Sequence, residues 1–487
     1  MPPPLEWLAR LLPRLKIQAA HARLYDGYYS GDRELRIVVR EYRDVFGAHA
    51  DFTPPKTNVS AVGVNAVAER LVVDGFRVGE DDDSAGSQAA WDIWLRNELD
   101  VMSAVGHTES LAKGTAFLLV WPDVDGQALI SVEDPEQMVV ARSGEPPYNV
   151  EAAVKLWIDE WTGQPHANVY LTEGIYKYVY TRSAAGSTAY DLIPDPLPIT
   201  GIPTPAQVIA QRMQGWQEYD FVAAPPAFAG KVPVVELANR ARLIRAPESD
   251  LKPVAPLADT HSKILADLVI AASFGAVPIR TATGIQLPRD PDTGEPVSPF
   301  DVRADRAMVS ENPAAKFGTL PAADLAGYVS ALDVVLRDIR IITRVPQHYY
   351  GGGAGSGTSG ETLKAAEASL VRRIDGALPR FGLGWRQAIG LALAIEQPAL
   401  TDAPMTVRWA DTQTRVEAQQ VDAAQKLEAM GVPLEIVLIE HLKMDPATVR
   451  RAMAMREETP PPTPVVAPAT AVPAPDIDVE VETETPV

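Results

Sequence analysis

The stretch RVPQHYYGGGAGSGTSGETLKAAEASL, residues 344–370, holds five glycines in the seven positions from Gly351 to Gly357. Helical periodicity flanks it on both sides. Pro346 ends one apolar-periodic segment, and Thr358 with Glu361 fits a capping box that opens another. The sequence thus joins two stiff helices by its most flexible loop. Three interpretations follow: a cradle for phosphate, a plain linker, or a loop that moves past something.

The glycine pattern superficially matches a dinucleotide fingerprint. Gly355, Gly357 and Gly360 have the G-x-G-x-x-G spacing, and Asp375 follows roughly fifteen residues later. That mechanism needs a strand before the loop inside a βαβ unit, whereas a helix precedes this loop. No G-K-S or G-K-T follows, so a Walker-type phosphate loop is not supported. A nucleotide-binding enzyme that uses the Gly351–Gly360 loop remains one alternative.

The composition bounds the kind of protein. With 487 residues, 46% hydrophobic and 22% charged, the chain has the size of two to four domains of an ordinary globular protein. It contains no cysteine, which excludes disulfides, thiolate nucleophiles and sulfur-built metal sites. A formal charge of −20 argues against tight coating of nucleic acid, because Lys and Arg supply most of that affinity. It remains compatible with a protein that handles DNA without gripping it.

The sequence shows no membrane segment. No apolar run reaches the ~18 residues that a bilayer span requires. The N-terminal MPPPLEWLARLLPRLK is amphipathic and lacks a small-residue cleavage motif, so it predicts an ordinary helix and not a signal peptide. We therefore expect no membrane partner and a protein that stays in the cytoplasm of the cell that makes it.

The hydrophobic period changes along the first half of the chain. Residues 1 to about 110 have apolar spacings of three and four, which predicts a helical layer. From Thr115, the segment TAFLLVWPDVDGQALISV predicts a hairpin around the Asp125-Gly126 turn. AAVKLWIDE, ANVYLTE and GIYKYVYTR continue as antiparallel strands. The predicted fold class is α+β, helix-rich with a small antiparallel sheet.

The second half is dominated by helices. Residues 183–255 are rich in Pro, Gly and Ala and carry one short strand, KVPVVEL. Two helices of about 30 Å are predicted over 256–274 and 322–343, with a turn-rich segment between them. A third helix is predicted from Thr358 to about Glu396, followed by the strand MTVRWAD and further helices. Residues 459–487 carry only acidic charges and no aromatics, which predicts disorder.

The second of the two long helices carries basic residues away from its apolar stripe. Arg337 and Arg340 lie there at helical spacing, and Arg344 lies at the helix end. One interpretation is a solvated or intersubunit face. The other is a basic strip that faces DNA or the carboxylates of a neighbouring subunit. The sequence does not decide between them.

No catalytic or metal site emerges from the motifs. Asp81, Asp83 and Gly86 resemble a calcium loop, but Asp92 stands where the bidentate glutamate is needed, so a solvated acidic turn is favoured. The seven histidines are scattered singly, and neither H-E-x-x-H nor G-x-S-x-G occurs. We therefore expect a protein that is not an enzyme, with no cofactor, no catalytic residue and no metal ligand.

Four local patterns, taken in order, indicate a family. They are YYSGDREL, VNAVAERLVVDGFRV, WLRNELDVMSAVGHTESLAKGTAFLLVW and, most characteristic, RVPQHYYGG with SGETLKAAEASLVRRI. As an ordered set over about residues 25–455, the sequence resembles the portal proteins of tailed bacteriophages, of the siphophage type in its actinobacteriophage branch. The resemblance implies a portal fold and a closed ring of about twelve subunits. The Pro-rich region and the acidic tail depart from the family.

The resemblance also implies how the chain divides. Two long helices form a stem around a central channel, the segment between them forms the clip, and the glycine-rich segment forms a tunnel loop. The implied regions are a wing at 1–255 with a Pro-rich insertion at 183–230, stem helix 1 at 256–275, the clip at 276–321, stem helix 2 at 322–343, the tunnel loop at 344–360, a long wing helix and strand at 361–410, crown helices at 411–456, and a disordered acidic tail at 457–487.

The implied function is a ring-shaped channel at one capsid vertex, through which double-stranded DNA is packaged and ejected. The implied partners are further copies of the chain, the major capsid protein, a scaffold protein, the terminase large subunit, a head-tail adaptor protein, and DNA passing without sequence specificity. ATP hydrolysis falls to the terminase docked at the clip. The implied location is the virion, at the capsid vertex and head-tail connector, with the host cytoplasm during assembly. A capsid-associated structural protein without a DNA channel is the other alternative.

Candidate site residues follow from the same resemblance. The tunnel-loop candidates for the narrowest part of the channel are Gln347, His348, Tyr349, Tyr350, Gly351, Gly352 and Gly353. The basic stem candidates are Arg337, Arg340 and Arg344, and the clip candidates are Arg280, Arg289 and Asp290. Glycines permit positive φ and remove side chains, which suits a loop that shifts as DNA passes. The competing hypothesis is that the tyrosines pack inward and the glycines are only a linker.

Overall fold

The structure is a computed structural model. It describes residues 2–33, 57–79, 84–146, 148–181, 213–243, 245–276, 280–284, 289–291, 293–295, 312–319, 324–351, 360–401, 403–413, 417–442, 444 and 446–458. Most of the Pro-rich insertion, the glycines Gly352 and Gly353, the predicted cap at Thr358 and the tail from residue 459 lie outside the described residues. The chain divides into two compact units, Met1–Gln413 and Thr414–Val487.

The first unit combines helices with short strands. Its helices are Pro4–Ser30 (α1), Val59–Ala68 (α2), Ala85–Arg96 (α3), Leu99–Lys113 (α4), Ala255–Ala276 (α5), Ala326–Thr343 (α6), Gly360–Asp375 (α7) and Leu378–Glu396 (α8). Its strands are Val73–Val78 (β1), Thr115–Pro122 (β2), Ala128–Glu133 (β3), Met138–Arg142 (β4), Val150–Ile158 (β5), Pro165–Tyr170 (β6), Gly174–Tyr180 (β7), Trp216–Ala223 (β8), Val234–Ala238 (β9), Arg280–Thr283 (β10), Lys316–Thr319 (β11) and Met405–Trp409 (β12). The described pairings between these strands are antiparallel, which confirms the predicted α+β class.

A long N-terminal helix packs on the largest sheet. Helix α1 begins with a proline in its first turn, where the missing N–H costs nothing, and ends at Gly31 with a left-handed φ of 79°. Leu8, Leu11, Leu12 and Leu15 follow the spacing of an amphipathic helix and are buried. They contact the inward side chains of a five-stranded sheet with the order β4-β5-β6-β7-β8.

The main core lies around α8 and two smaller sheets. Strands β3, β2 and β9 form one sheet in that order, and β1 pairs with β12. The rings of Trp94 and Trp385 meet edge to face with centroids 4.8 Å apart. Trp385 also donates from Nε1 to His107 Nε2 over 2.8 Å. All three side chains are fully buried, so this aromatic group fixes α3 and α4 against α8.

His107 is a buried histidine that the fold keeps neutral. Burial lowers the pKa of His107 to about 3, and a backbone interaction with Leu71 opposes that shift. The neutral ring accepts the proton of Trp385 Nε1, which a protonated ring could not do. The core packing around α8 therefore depends on an uncharged imidazole.

His107→Gln is expected to make the fold less sensitive to acid. A histidine in the unfolded chain takes a proton near pH 6.5, whereas folded His107 does so only near pH 3, so wild-type stability falls by about 1.4 kcal/mol per pH unit below 6.5. Glutamine keeps an acceptor for Trp385 and does not titrate. Between pH 7 and pH 5, the free energy of unfolding measured in urea should decrease by about 2 kcal/mol less in the variant than in the wild type. Equal losses in both proteins would contradict this account.

The two predicted long helices form a packed pair with a hairpin between them. Leu257, near the start of α5, belongs to the same cluster as Val335 and Ile339 in the second half of α6, so the helices run antiparallel. Strands β10 and β11 pair with each other in the segment that connects the helices. The predictions of helices at 256–274 and 322–343 are confirmed, with observed bounds that differ by four residues at most.

Two predicted helical segments are divided in the structure. The helix predicted from Thr358 to Glu396 is two helices, α7 and α8. Pro379 explains the division, because it lacks an N–H and its ring would clash with the carbonyl of Asp375 in a continuous helix. The predicted helical layer of residues 1 to about 110 is interrupted by β1, which pairs with β12, more than 300 residues later in the sequence. Local periodicity cannot show so distant a partner.

The second unit is helical in its described residues. It contains Glu417–Ala429 (α9), Leu434–Ile436 (α10), a π-helical turn at Val437–His441, and Pro446–Glu458 (α11). This confirms the helical stretches predicted from the sequence. Throughout the described ranges of both units, no helix is long and apolar enough to cross a membrane.

Candidate functional site

The end of α6 leads directly into the predicted channel segment. Arg344 leaves the helix in the left-handed region with a φ of 56°, and Val345 and Pro346 behind it are buried. A single 3-10 turn, Gln347–Tyr350, follows and ends at Gly351 with a φ of 78°. A residue with a Cβ is strained at that φ, so glycine is favoured where the chain enters the loop.

Tyr350 seats this turn against α2. Its hydroxyl lies 3.3 Å from Thr343 Oγ1 at the end of α6. Gly63 on α2 faces the same contact, and a Cβ at Gly63 would lie 2.8 Å from Thr343 Cγ2, closer than packed carbons approach. Burial raises the pKa of the Tyr350 phenol. The absence of a side chain at Gly63 therefore allows α2 to approach the end of α6.

Arg70, just beyond α2, holds the next part of the turn. Its guanidinium donates to the Tyr349 hydroxyl over 2.7 Å and lies 3.3 Å from the Glu367 carboxylate on α7. His348 Nε2 lies 3.5 Å from the same carboxylate. The Arg70 and Glu367 side chains are 17% and 12% exposed, so water screens their ion pair only weakly. The turn before the glycine loop is thus tied to two helices of its own subunit.

A buried carboxylate links this region to α5. Asp250 precedes α5, its side chain is 5% exposed, and it accepts from Asn239 over 2.9 Å and pairs with Arg240 over 2.5 Å. Arg373 of α7 also donates to Asp250 and, through its other terminal nitrogen, to the backbone carbonyl of Thr343. One arginine therefore joins α7, the end of α6 and the loop before α5.

Four arginines line an open cleft of about 460 Å³ on the solvent side of α6. They are Arg337, Arg340 and Arg344 from the end of α6, and Arg372 from α7. Among the residues that the structure describes, no carboxylate lies within ion-pair distance of any of the four. The apolar part of the lining is Ile341, Val345 and Pro346. The predicted basic strip is thus part of a cluster, which we call the arginine cleft, and Arg372 joins it from another helix.

The clip candidates lie on and beside the β10–β11 hairpin. Arg280 is the first residue of β10. Arg289 donates to the Gly294 carbonyl over 3.0 Å, and the Asp290 carboxylate accepts from the backbone N–H of Thr293 over 3.2 Å. These are local contacts within a turn, so the role of all three residues in docking stays a prediction.

The structure brings the described tunnel-loop candidates, Gln347–Gly351, and the basic candidates together at one end of α6, whereas the clip candidates lie on β10 and in its connection to β11. Tyr349 and Tyr350 contact helices of their own subunit, which is the arrangement that the competing hypothesis expects. The assignment of the segment to a channel wall stays a prediction. No local spacing in the sequence marks the residues that anchor the segment, because their partners are remote in sequence; these residues are Gly63, Arg70, Asp250, Glu367 and Arg373.

The acidic turn before α3 has a structural role at its described end. Ser84 caps the helix, since its Oγ accepts from the Ser87 N–H over 3.1 Å and donates to the Val78 carbonyl over 2.7 Å. Asp81 and Asp83 lie outside the described residues. Across the part of the chain that is described, no group of three or more His, Asp or Glu side chains is arranged to hold a metal ion.

Gly63→Ala is expected to lower the free energy of unfolding of the first unit by about 1 to 2 kcal/mol, because the added carbon overlaps Thr343. Gly327→Ala on α6 is the matched control. Both glycines are helical, but nothing lies within 4 Å of a Cβ at Gly327, so alanine there should stabilise by about 0.5 to 1 kcal/mol. Urea unfolding of the two variants should therefore give shifts of opposite sign. Stabilisation by both substitutions would show that α2 and α6 are not in tight contact.

Sequence comparison finds the chain similar to portal proteins of phages. The family model described as "Phage portal protein, SPP1 Gp6-like" matches residues 27–460. The portal protein of Mycobacterium phage D29 is 28% identical over 382 residues, which cover 76% of this chain and 71% of that protein. The portal protein of Mycobacterium phage L5 is 29% identical over 380 residues, which cover 76% and 71%.

Among solved structures, chains of a gene transfer agent particle are similar to this one. A chain from the virion of the native particle has a TM-score of 0.42 at 14% identity, and the match covers 81% of this chain and 94% of that one. A chain from the neck of the native particle, computed with C12 symmetry, has a TM-score of 0.41 at 14% identity, with 86% and 98% covered. The family match at 27–460 spans most of the sequence and confirms the resemblance to siphophage portals. The chain belongs to the phage portal protein family of the SPP1 Gp6-like type.

Proposed function

We propose that copies of this chain form a closed ring of about twelve at one capsid vertex, whose channel carries double-stranded DNA inward during packaging and outward during ejection. Membership of the portal family supports this function over a nucleotide-binding enzyme and over a capsid protein without a channel. The twelvefold ring, the vertex and the virion location come from resemblance to the family. ATP hydrolysis is assigned to a separate terminase.

The observation that carries the proposal is the antiparallel pair α5 and α6 with the β10–β11 hairpin in its connection. We assign the pair to the stem, the hairpin segment to the clip, and residues 1–255 to the wing. The segment at 361–410 is assigned to the wing helices and the second unit to the crown. In a single subunit, α6 leaves large apolar side chains in water: Val329, Val334 and Ile341 are 51%, 46% and 68% exposed. Contacts between subunits in a ring would bury such side chains.

The segment Gln347–Gly351 is assigned to the base of the tunnel loop. Arg70 and Glu367 of the same subunit hold this segment in place. The residues that follow, Gly351 to Gly357, are mostly glycines and carry few side chains. A firm base with a glycine-rich continuation suits a loop that yields to a passing duplex without gripping it. The net charge of −20 per copy acts in the same direction, because it opposes the counterion release that holds DNA on a protein.

The clip is assigned as the docking site of the terminase large subunit during packaging and of a head-tail adaptor afterwards. Arg280, Arg289 and Asp290 are the candidate contacts there. The major capsid protein and a scaffold protein are the proposed partners of the wing during assembly in the host cytoplasm. No cofactor is assigned to any of these steps.

Native mass spectrometry of the purified full chain, with class averages from electron microscopy, tests the ring. The expected result is a closed particle of about twelve copies with a central hole, either alone or after addition of the scaffold protein. A small closed dimer with a bound nucleotide would overturn the proposal. A thermal-shift screen checks the same alternative, since a nucleotide at about 100 times its Kd would stabilise the fold by about 2.7 kcal/mol.

A further inference from the structure

The arginine cleft collects positive charge that the described residues of the subunit leave unpaired. Arg337, Arg340, Arg344 and Arg372 surround it, and none has a carboxylate at ion-pair distance in the described part of the chain. Ile341 lies among them with 68% of its side-chain surface exposed. The chain has 64 acidic and 44 basic residues, yet these four guanidinium groups have no carboxylate partner within the described residues, and an exposed isoleucine lies among them. Such a surface indicates that a partner covers it.

The composition of the cleft favours a protein partner over DNA. Arginine around apolar side chains is typical of the centre of a protein–protein interface, where water is excluded. A convex duplex would touch the rim of a cleft and leave Ile341 in water. Four arginines per copy would also hold the phosphate backbone by counterion release, which opposes the sliding that the proposed function requires. The occupant expected from this chemistry carries carboxylates and aliphatic side chains together.

The same unit presents such a surface on α4. Val101 and Val105 stand at i and i+4 of α4, so they lie on one side of the helix. Asp100 is exposed in the first turn, and the exposed Glu98 directly precedes the helix with a left-handed φ of 53°. Val101 and Val105 are 63% and 43% exposed. In the described residues, neither Glu98 nor Asp100 has a cationic partner. We call this surface the acidic ridge; it carries the carboxylates that the cleft lacks, next to aliphatic side chains that can pack on the apolar lining of the cleft.

The two surfaces differ, and this determines the kind of contact they can make. A symmetric dimer brings the same surface of two copies together, which would set four arginines against four arginines. A closed ring repeats a head-to-tail contact between two different surfaces, and surfaces of opposite charge satisfy that requirement.

We infer that the arginine cleft of one copy receives the acidic ridge of the next copy around the ring, with Val101 against Ile341 and the carboxylates of Glu98 and Asp100 among the four guanidinium groups. The inference rests on the proposed ring and identifies one of its contacts. It assigns Arg337, Arg340 and Arg344 to the subunit interface and not to the DNA path.

Cysteine cross-linking tests the contact directly, because the chain has no cysteine of its own. Val101→Cys and Ile341→Cys are combined in one chain; both positions are exposed, so neither substitution disturbs the core. Under mild oxidation the double variant should give a ladder of disulfide-linked multimers, since a disulfide needs Cβ atoms within about 4.5 Å. Val124→Cys combined with Ile341→Cys is the control, because Val124 is fully exposed on the β2–β3 turn.

The outcomes separate this contact from the ring. A ladder that stops at the ring size supports both. Closed rings in native mass spectrometry without cross-linking above the control would overturn the contact and leave the proposed ring intact. A ladder of open chains without closure would support the contact and contradict the ring. Neither rings nor ladder, with scaffold protein present, would overturn both.

Charge exchange gives a second, independent readout. Glu98→Arg with Asp100→Arg on the ridge, or Arg337→Glu with Arg372→Glu in the cleft, should weaken association at least about tenfold. Combining all four substitutions should restore assembly, because the ridge then carries the positive charges and the cleft the negative ones, so the two surfaces attract each other again. Glu160→Arg, an exposed reversal on the β5–β6 turn, is the matched control. Failure of the fourfold variant to assemble, with folding verified by circular dichroism, would overturn the pairing.

Discussion

Replacing Arg373 by alanine should lower the free energy of unfolding of the first unit by about 2 to 3 kcal/mol. Arg373 is 11% exposed, and it donates both to the Asp250 carboxylate and to the carbonyl of Thr343. Its removal leaves a buried negative charge short of a partner and the carbonyl at the end of α6 without this donor. Breaking one side of a buried ion pair costs far more than the intact pair contributes, because the remaining charge stays desolvated.

Arg372→Ala is the matched control for this prediction. Arg372 is the adjacent residue on α7, exposed and without a carboxylate partner in the described residues, so its removal from the isolated subunit should change stability by less than about 0.5 kcal/mol. Urea unfolding followed by tryptophan fluorescence would compare the two variants with the wild type. Similar small effects of both substitutions would show that the link between α7, α6 and Asp250 contributes little.

The same substitution should also loosen the segment Gln347–Gly351, which we assign to the base of a tunnel loop. Arg373 is bonded to Thr343, and the segment Gln347–Tyr350 begins only four residues later. Regions with few buried contacts open with small free energies and exchange their amide hydrogens quickly. The glycine loop therefore starts from a position that depends on Asp250 and Arg373, although neither residue lies in the loop.

Local patterns in the sequence were sufficient to predict many of the helices and strands. The stripe that contains Ile339 predicted α6, and the Asp125-Gly126 turn predicted the β2–β3 hairpin, because helix period and turn chemistry are local properties. The short strands predicted at KVPVVEL and MTVRWAD are β9 and β12. The division of the third helix at Pro379 had a local cause too, but the long apolar period around it concealed the break.

The contacts that position the candidate site had no local sign in the sequence. Arg70 and Glu367 each resemble an ordinary surface charge, and only the fold brings them together with Tyr349. The segment of β1 was predicted as helix from its local apolar spacing. It forms a strand because it pairs with β12, and that partner is too remote in sequence to be recognised locally. Helical spacing placed Arg337 and Arg344 away from the apolar stripe, and both are exposed in the structure. The extension of this cluster to Arg372 requires the packing of α7 on α6.

Lys113→Met should destabilise the first unit by about 2 to 3 kcal/mol at pH 7, because charge-assisted hydrogen bonds to partly buried carboxylates are lost. Lys113 ends α4 with its side chain 6% exposed, 2.8 Å from both Glu109 and Asp134 and 3.6 Å from Glu136. Although burial lowers the pKa of the Lys113 ammonium, its hydrogen bonds to Asp134 and Glu109 raise that pKa above the ordinary value. Methionine keeps most of the volume and removes the charge, so three carboxylates are left close together without it.

The pH dependence distinguishes this electrostatic cause from a packing defect. The wild-type contribution of Lys113 is constant between pH 5 and 8, because its raised pKa lies far above that window and its unfolded value is already near 10.4. Burial raises the pKa of Glu109, so without the cation the folded variant binds a proton more readily than the unfolded chain as the pH falls. The defect measured by urea unfolding should therefore be smaller at pH 5 than at pH 7.

A surface lysine supplies the control for Lys113. Lys252 pairs with Glu248 over 2.6 Å, but the two side chains are 51% and 29% exposed, and exposed pairs contribute about 0 to 1 kcal/mol. Lys252→Met should therefore have a small effect at either pH. A Lys113→Met defect that does not change with pH would attribute the loss to packing. A defect no larger than that of Lys252→Met would show that Glu109, Asp134 and Glu136 are solvated in the folded protein, and that α4 is held on the β3–β4 turn by its apolar face alone.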